Sequence, residues 1–449
     1  VDRRGLTGLF KVSLAGAVIV AGPWLVSIIG ITTIQRLFIG RMDELPGAFM
    51  AVVIYSYAFS LLIGGGFHYI FTRIISDYLY VKDENAAFCY LLKALIPAAL
   101  ISLVLGIPAV LTLSPPLSHL WVFRAGALLL FLAVNLLWLI MLFISVLTWY
   151  LRILLSYIIG MAAALGLIYL LAGTYGTGGA VLGFALGHLV ICLILLFLCF
   201  QSFTPEYRET MKGAFRKYFK KYMFLFFTGS LYYLSIWVDK MVNWIFHGTP
   251  VAGTFLAVYE PYDITVYFAN LSMVPGLIYF VISTETDFYI LLRKFLLSLG
   301  KGRFTDIQRR KYRLISRANR GIREQCIFQG LITTGLILAA PRLQIALLGG
   351  IVSLSVMGIT LAAVFFHLTC LTLVNFLFYL EMYRRAFYAT LTFAVVNTVV
   401  SLLSSLSSVT TLAGLGYLAG GIAGSAVAFI AFRASIRKMD RLVFTGLRY

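Results

Sequence analysis

Long apolar runs separated by short polar gaps make up most of the chain. A helix needs about 20 apolar residues to cross roughly 30 Å of hydrocarbon. Runs of this kind centre near residues 23, 60, 101, 136, 162, 190, 235, 272, 333, 365, 397 and 424. The pattern predicts an all-α integral membrane protein with about twelve transmembrane helices. The ninth and tenth have the least distinct boundaries, because Pro341 and Gly349–Gly350 interrupt them.

The basic residues gather in alternate gaps. With the N-terminus in the cytoplasm, nearly all of the 36 Lys and Arg residues fall in cytoplasmic gaps. The exceptions are Arg36, Arg41, Arg124 and Arg342 in outer gaps and Lys240 within a span. Cytoplasmic loops of membrane proteins carry an excess of Lys and Arg. We therefore expect a multi-pass protein of the cytoplasmic (inner or plasma) membrane with both termini in the cytoplasm.

The composition agrees with a lipid environment. The chain is 61% hydrophobic and 12% charged, whereas soluble domains are about a quarter charged. The net charge of +19 lies in the gaps between spans, so we expect contact with membrane lipids and no nucleic-acid partner. The five cysteines lack metal-ligand spacing, and nucleotide-loop, zinc-protease and hydrolase motifs are missing from the sequence. These features predict no cofactor, no metal site, no catalytic residues and a protein that is not an enzyme.

Two glycine stripes suggest that the chain has two halves. The sixth and twelfth spans each carry three glycines at spacing i, i+4, i+8, which lets a neighbouring helix approach closely. The stripes are Gly179, Gly183 and Gly187, and Gly416, Gly420 and Gly424. We predict an N-terminal six-helix lobe over residues 1–201, a basic cytoplasmic linker over 202–222 and a C-terminal six-helix lobe over 223–449.

Two spans contain a Pro–Gly pair near their centre. These are Gly22–Pro23 in the first span and Pro275–Gly276 in the eighth. Proline removes one backbone hydrogen bond and clashes with the preceding turn, so each pair predicts a kink. The kinks are either tolerated irregularities, which are common in membrane helices, or bending points that gate transport.

The seventh and eighth spans carry polar and aromatic side chains at membrane depth, where ionisable groups are candidates for function. The candidates are Tyr232, Trp237 and Asp239 in the seventh span and Asp263, Tyr267 and Asn270 in the eighth. Aromatic planes stack on the C–H faces of sugar rings, and carboxylate and amide groups bond to hydroxyls. For Asp239 and Lys240, an interfacial pair that snorkels to the outer surface and a role in ion coupling are alternatives to sugar contact.

The longest polar stretch predicts a basic cytoplasmic loop over residues 284–325, with an amphipathic helix over Phe304–Arg323 lying on the membrane surface. This helix either contacts anionic lipids, worth about 1 kcal/mol per basic residue, or docks a cytosolic partner. The candidate docking residues are Arg309, Arg310, Lys311, Arg313, Arg317 and Arg320.

Six local motifs run through both halves of the chain. They are Ala21–Ile28 (AGPWLVSI), Tyr55–Ser60 (YSYAFS), Thr72–Tyr80 (TRIISDYLY), Trp237–Lys240 (WVDK), Pro261–Gly276 (PYDITVYFANLSMVPG) and Glu285–Phe288 (ETDF). In this order they resemble the PelG family of Pel exopolysaccharide transporters, within the multidrug/oligosaccharidyl-lipid/polysaccharide flippase superfamily. That family usually has a short leader before the first span. Since this chain starts at Val1, we expect either a shortened start or a different leader.

The resemblance implies two six-helix lobes around a central cavity. It also implies export of a galactosamine-rich polysaccharide across the cytoplasmic membrane in support of a biofilm matrix. The polymer would come from a cytosolic glycosyltransferase, and other Pel membrane subunits would be partners. In this hypothesis Tyr55 joins Tyr232, Trp237, Asp239 and Tyr267 in lining the cavity.

Two other functions stay open. One is a lipid-linked oligosaccharide flippase or an ion-coupled drug exporter of the same superfamily. A lipid-diphosphate substrate calls for several cations in the cavity, and the spans offer only Lys240, which argues against the flippase. The other is a non-transporting membrane scaffold for a polysaccharide synthase, held through its basic cytoplasmic face.

Overall fold

Nearly every apolar run is helical in the computed structural model, which describes residues 22–23, 25–34, 36–37, 46–348, 352–407, 410–437 and 439. The helices are α1 (Leu25–Ile34), α2 (Pro46–Tyr80), α3 (Glu84–Leu111), α4 (Leu120–Val146), α5 (Tyr150–Ser202), α6 (Ala214–Lys221), α7 (Met223–His247), α8 (Glu260–Leu271), α9 (Val274–Tyr279), α10 (Thr286–Lys301), α11 (Phe304–Leu348), α12 (Leu354–Tyr379), α13 (Tyr383–Leu406) and α14 (Leu415–Arg437). A π-helical segment, Phe280–Glu285, joins α9 to α10. The short strands β1 (Thr249–Pro250) and β2 (Ala257–Val258) pair antiparallel between α7 and α8.

Nine helices of the described chain are long and apolar enough to cross a membrane. The longest, α5, has 53 residues and is interrupted at Gly176, whose φ of 55° is easy only for glycine. At about 1.5 Å per residue, α5 is long enough for two of the predicted spans. Helix α7 is not among the nine, since Asp239 and Lys240 lower its hydropathy. The predicted all-α membrane fold is confirmed, whereas the number of twelve crossings and the side on which the termini lie stay predictions.

The chain forms two compact units, described here separately. The first unit comprises the described residues of Ala21–Tyr233 and Gly248–Val258, and the second those of Leu234–His247 and Tyr259–Tyr449. The sequence had suggested a boundary in the linker at 202–222. In the structure the chain passes from the first unit to the second within α7, so that segment belongs wholly to the first unit.

Residues 203–222 are fixed to the first unit by polar contacts with the end of α2 and the turn that follows it. Arg208 Nε lies 3.0 Å from Asp83 Oδ2, and Tyr218 donates a hydrogen bond to Asp77 at 2.7 Å. Hydrogen bonding from Arg208 holds the pKa of the Asp83 carboxyl below its ordinary value. These contacts hold the segment to the first unit.

The basic stretch 284–325 is largely helical, and its place in the cytoplasm stays a prediction. Helices α10 and α11 form a hairpin whose inner side chains, among them Phe295, Leu314 and Ala318, are fully buried in the core of the second unit. The amphipathic helix predicted over Phe304–Arg323 is present, but it continues unbroken into the apolar half of the 45-residue α11. A helix that continues into a membrane span cannot lie flat on the membrane surface, because no kink separates its two halves.

Candidate functional site

Polar and aromatic side chains of α7 and α8 come together in the second unit. The ring of Trp237 lies 6.2 Å from that of Trp244, measured between centroids. Trp244 Nε1 donates to both carboxylate oxygens of Asp263 at 3.0 Å. Tyr267 and Asn270 follow Asp263 along one face of α8, as their spacing requires. Trp237, Asp263, Tyr267 and Asn270 are all partly accessible, and we call these four residues the α7–α8 polar row.

Asp239 lies behind this row. Its side chain is fully buried and accepts a hydrogen bond from Tyr262 at 2.5 Å. Asn397 Nδ2 is 3.5 Å from its other carboxylate oxygen and donates to the carbonyl of Ser235 at 2.8 Å. The carboxylate therefore joins α7, α8 and α13. The structure places Asp239 in the interior of the unit, not on a surface that a sugar can reach.

Lys240 is also withdrawn into the second unit. Its ammonium nitrogen lies 4.0 Å from Asp239 Oδ2 and donates to the carbonyl of Ile236 at 2.6 Å. The rings of Trp237 and Tyr417 stand 5.1 and 5.6 Å from this nitrogen, within the range of cation–π attraction. Lys240 is 8% exposed, which does not fit a side chain that snorkels to the outer surface. Asp239 and Lys240 form a buried pair of opposite charge.

The sequence did not single out Tyr262, Tyr417 and Asn397 as parts of this network. Tyr417 bonds to His367 Nδ1 at 2.7 Å and is 1% exposed. Asn397 carried a usable signal, since it is a polar residue at the centre of an apolar run. The two tyrosines carried none, because an aromatic residue in an apolar run is usually a packing residue.

Two of the predicted cavity residues belong to the first unit. The Tyr55 hydroxyl donates to the carbonyl of Ala257 at 3.0 Å and accepts from its amide at 3.2 Å, which ties α2 to the β1–β2 hairpin. The ring of Tyr232 lies 5.4 Å from that of Tyr233. Tyr55 therefore has a structural role, and neither residue adds to the α7–α8 polar row within one unit.

The chain breaks its helix next to Pro275. Helix α8 ends at Leu271, and α9 starts at Val274 with Pro275 in its first turn. A Cβ atom on Gly276 would stand 2.6 Å from Leu368 Cδ2, so glycine allows α9 to pack closely on α12. The gating role of this break stays a prediction.

The other Pro–Gly pair lies at the edge of the described chain. The carbonyl of Pro23 accepts a hydrogen bond from Ser27 Oγ at 3.0 Å, and a Cβ atom on Gly22 would stand 3.1 Å from Leu154 Cδ1. The residues before this pair lie outside the described chain, so the kink predicted there stays a prediction.

Both glycine stripes face the preceding helical segment. Gly179, Gly183 and Gly187 pack on the first half of α5, and a Cβ atom on Gly183 would stand 2.8 Å from the amide nitrogen of Ile168. Gly416, Gly420 and Gly424 pack on α13, and a Cβ atom on Gly420 would stand 2.8 Å from the carbonyl oxygen of Phe393. Substitution of Gly183 or Gly420 would force the helices apart, because these backbone atoms cannot move aside as the end of a side chain can.

The predicted docking residues differ in their surroundings. Arg309, Arg310, Arg313 and Arg320 are exposed, and Lys311 is partly buried. Arg317 is engaged within the hairpin, where it pairs with Asp287 at 3.0 Å and Glu324 at 3.4 Å. Its guanidinium links α10 to α11, which makes it a structural residue.

No group of three or more His, Cys, Asp or Glu side chains that could hold a metal ion occurs in the described parts of the chain.

Comparison with known families and structures identifies similar proteins. A family model described as “PelG: Putative exopolysaccharide Exporter (EPS-E)” matches residues 1–444. The fold is similar to a crystal structure of the Vibrio cholerae MATE transporter VcmN in the bent form, with 16% identity, 96% of this chain and 98% of that chain covered and a TM-score of 0.62. No curated protein sequence matches the chain.

Two further solved structures share the fold. A eukaryotic MATE transporter is 14% identical, with 96% of this chain and 97% of that chain covered and a TM-score of 0.58. An outward-facing multidrug resistance MATE transporter of the MOP superfamily is 13% identical, with 96% of each chain covered and a TM-score of 0.56. At these identities the likeness establishes the fold alone.

Proposed function

Because the chain belongs to the PelG family, we propose that this multi-pass membrane transporter exports a Pel-type, galactosamine-rich exopolysaccharide across the cytoplasmic membrane. The exported polymer would support a biofilm matrix. A cytosolic glycosyltransferase and other Pel membrane subunits would be its partners. No reaction is assigned to the chain, since its family and fold are those of transporters.

The α7–α8 polar row is the observation that supports this proposal. It presents two aromatic rings, one carboxylate and one amide, all partly accessible, on α7 and α8. Sugar recognition uses this combination, since rings cover C–H faces and polar groups bond to hydroxyls or amines. A polymer that must keep moving requires several weak contacts along its path, and a row of partly accessible groups suits that need better than one enclosed pocket.

Trp244 and Tyr259 fix the position of the Asp263 carboxylate. The indole N–H of Trp244 bonds to both carboxylate oxygens, and the amide of Tyr259 donates to Oδ2 at 3.2 Å. These bonds fix the carboxylate and leave acceptor capacity unused, since an ionised carboxylate offers about four lone-pair sites. We assign Asp263 to bonding sugar hydroxyl or ammonium groups, and Trp237 and Tyr267 to ring stacking.

A lipid-diphosphate substrate gains no support from Lys240. Its ammonium is directed at the Ile236 carbonyl and at Asp239, and none of the four residues of the α7–α8 polar row is a cation that could bind a diphosphate. The polysaccharide is therefore the favoured substrate class.

Replacing Trp237 with Ala is expected to reduce polymer secretion at least tenfold, because the main stacking surface is lost. Trp237→Phe keeps an aromatic face and should retain most secretion. The measurement is secreted polysaccharide per cell, in cells that make the polymer, at equal abundance of the protein in membranes. Unchanged secretion by a Trp237→Ala/Tyr267→Ala variant would exclude the row as a substrate path and favour the scaffold function.

A further inference from the structure

The hairpin of α10 and α11 ends in a surface that is both basic and apolar. Leu297 is 68% exposed, and Phe304 and Tyr312 are each 74% exposed. Three exposed arginines lie beside them on α11. We define the tip surface as Leu297, Phe304, Arg309, Arg310, Tyr312 and Arg313. Charged side chains alone would suit a solvated helix face, whereas large exposed apolar side chains among them are typical of an interaction site.

The tip surface lies too far along α11 to bind lipid headgroups. Arg309 precedes Cys326, where the apolar half of α11 begins, by 17 residues. At about 1.5 Å per residue this is about 25 Å along the helix axis, and still about 19 Å at a tilt of about 40°. The headgroup layer is only about 7 Å thick, and charges are screened beyond about 8 Å at physiological ionic strength. Arg320 and Arg323, in contrast, lie within about 9 Å of Cys326 along the helix axis.

The positive charge of the tip surface is largely uncompensated, because most acidic residues of the hairpin lie elsewhere. Asp287 and Glu324 pair with Arg317 near the base of the hairpin. Asp306 is the acidic residue closest to the tip arginines in the sequence. A cleft of about 370 Å³ next to them is lined by Leu291, Lys294, Arg310 and Arg313. Lys294, Arg310 and Arg313 therefore surround one small volume with three positive charges. A carboxylate group would bind favourably there.

We propose that the tip surface docks an acidic face of a cytosolic protein. The positive-inside pattern puts the hairpin in the cytoplasm, and opposite charge steers such a partner to it. Tyr and Arg are among the residues that supply most binding energy at interfaces. The hairpin is already rigid, because Phe295 and Leu314 are fully buried and Arg310 donates to the carbonyl of Lys294 at 2.7 Å. Little ordering is therefore required on binding.

The first test measures binding of a fluorescein-labelled deca-glutamate peptide to the full chain in phosphatidylcholine nanodiscs. An Arg309→Glu/Arg310→Glu/Arg313→Glu variant should bind at least tenfold more weakly. The matched control is Lys212→Glu/Lys217→Glu/Lys220→Glu, which makes the same charge change on the exposed side of residues 203–222 and should change affinity less than twofold. Equal losses in both variants would overturn the proposal by showing that net charge alone attracts the peptide.

A second test places the photocrosslinker benzoyl-phenylalanine at Tyr312 in cells. The proposal predicts a crosslink to a protein peptide rich in Asp and Glu that disappears in the triple tip variant. Lipid adducts alone, or labelling of a Ser316→Cys variant from outside intact cells, would contradict it. Neither test requires transport, so either can fail while the proposed export function stands.

Discussion

Replacing Asp239 with Leu is expected to lower the free energy of unfolding by about 3–5 kcal/mol, because it leaves a buried ammonium without its carboxylate. The ammonium of Lys240 is 4.0 Å from that carboxylate and 8% of the residue is exposed. The substitution also removes the acceptor of the Tyr262 hydroxyl. Chemical unfolding of the purified protein in detergent micelles measures the change.

The matched control removes both charges of this pair. An Asp239→Leu/Lys240→Met variant should recover most of the lost stability, since a buried ion pair is often replaceable by apolar residues of similar volume. If the single variant unfolds at the same denaturant concentration as the unmodified protein, Asp239 and Lys240 are not coupled.

Replacing Gly179 with Ala is expected to destabilise the first unit by about 3 kcal/mol, toward the upper end of the cost of overpacking. The added Cβ atom would overlap the carbonyl of Leu171 and stand 2.9 Å from the amide nitrogen of Ala172, and neither backbone group can turn aside as a side chain can. The same unfolding measurement, together with the amount of protein in the membrane, reports the effect.

Gly166→Ala is the control within the same helix. A Cβ atom at Gly166 would meet nothing within 4 Å, so this change should shift stability by less than about 1 kcal/mol, the scale of the helix-propensity difference. Similar losses in both variants would show that glycine flexibility, and not close packing, is what α5 requires.

Features that depend on local sequence were predicted well. Apolar runs of about 20 residues predicted the all-α membrane fold, and the interruption near Pro275 appears as a break between α8 and α9. The glycine stripes face neighbouring helices because spacing i, i+4, i+8 fixes one helix face whatever the rest of the fold does. These patterns need no knowledge of distant residues.

Features that depend on distant residues were not predictable. Asp239 looks like a cavity ligand on α7, yet its partners Tyr262 and Asn397 are 23 and 158 residues away in the chain. Polar composition suggested that 202–222 is a linker, but Tyr218 attaches it to the end of α2 and Arg208 to the turn that follows. In each case the deciding contact comes from another segment of the chain, and the sequence alone does not show that the two segments are adjacent in the fold.

Transport itself is measurable with the purified chain in liposomes. The assay follows efflux of a labelled oligosaccharide of galactosamine and N-acetylgalactosamine through the unmodified protein and through Trp237→Ala at matched protein content. We predict efflux clearly above that of protein-free liposomes, reduced at least tenfold by Trp237→Ala. Efflux through the unmodified protein no faster than from protein-free liposomes would contradict the assignment of this chain as a polysaccharide exporter.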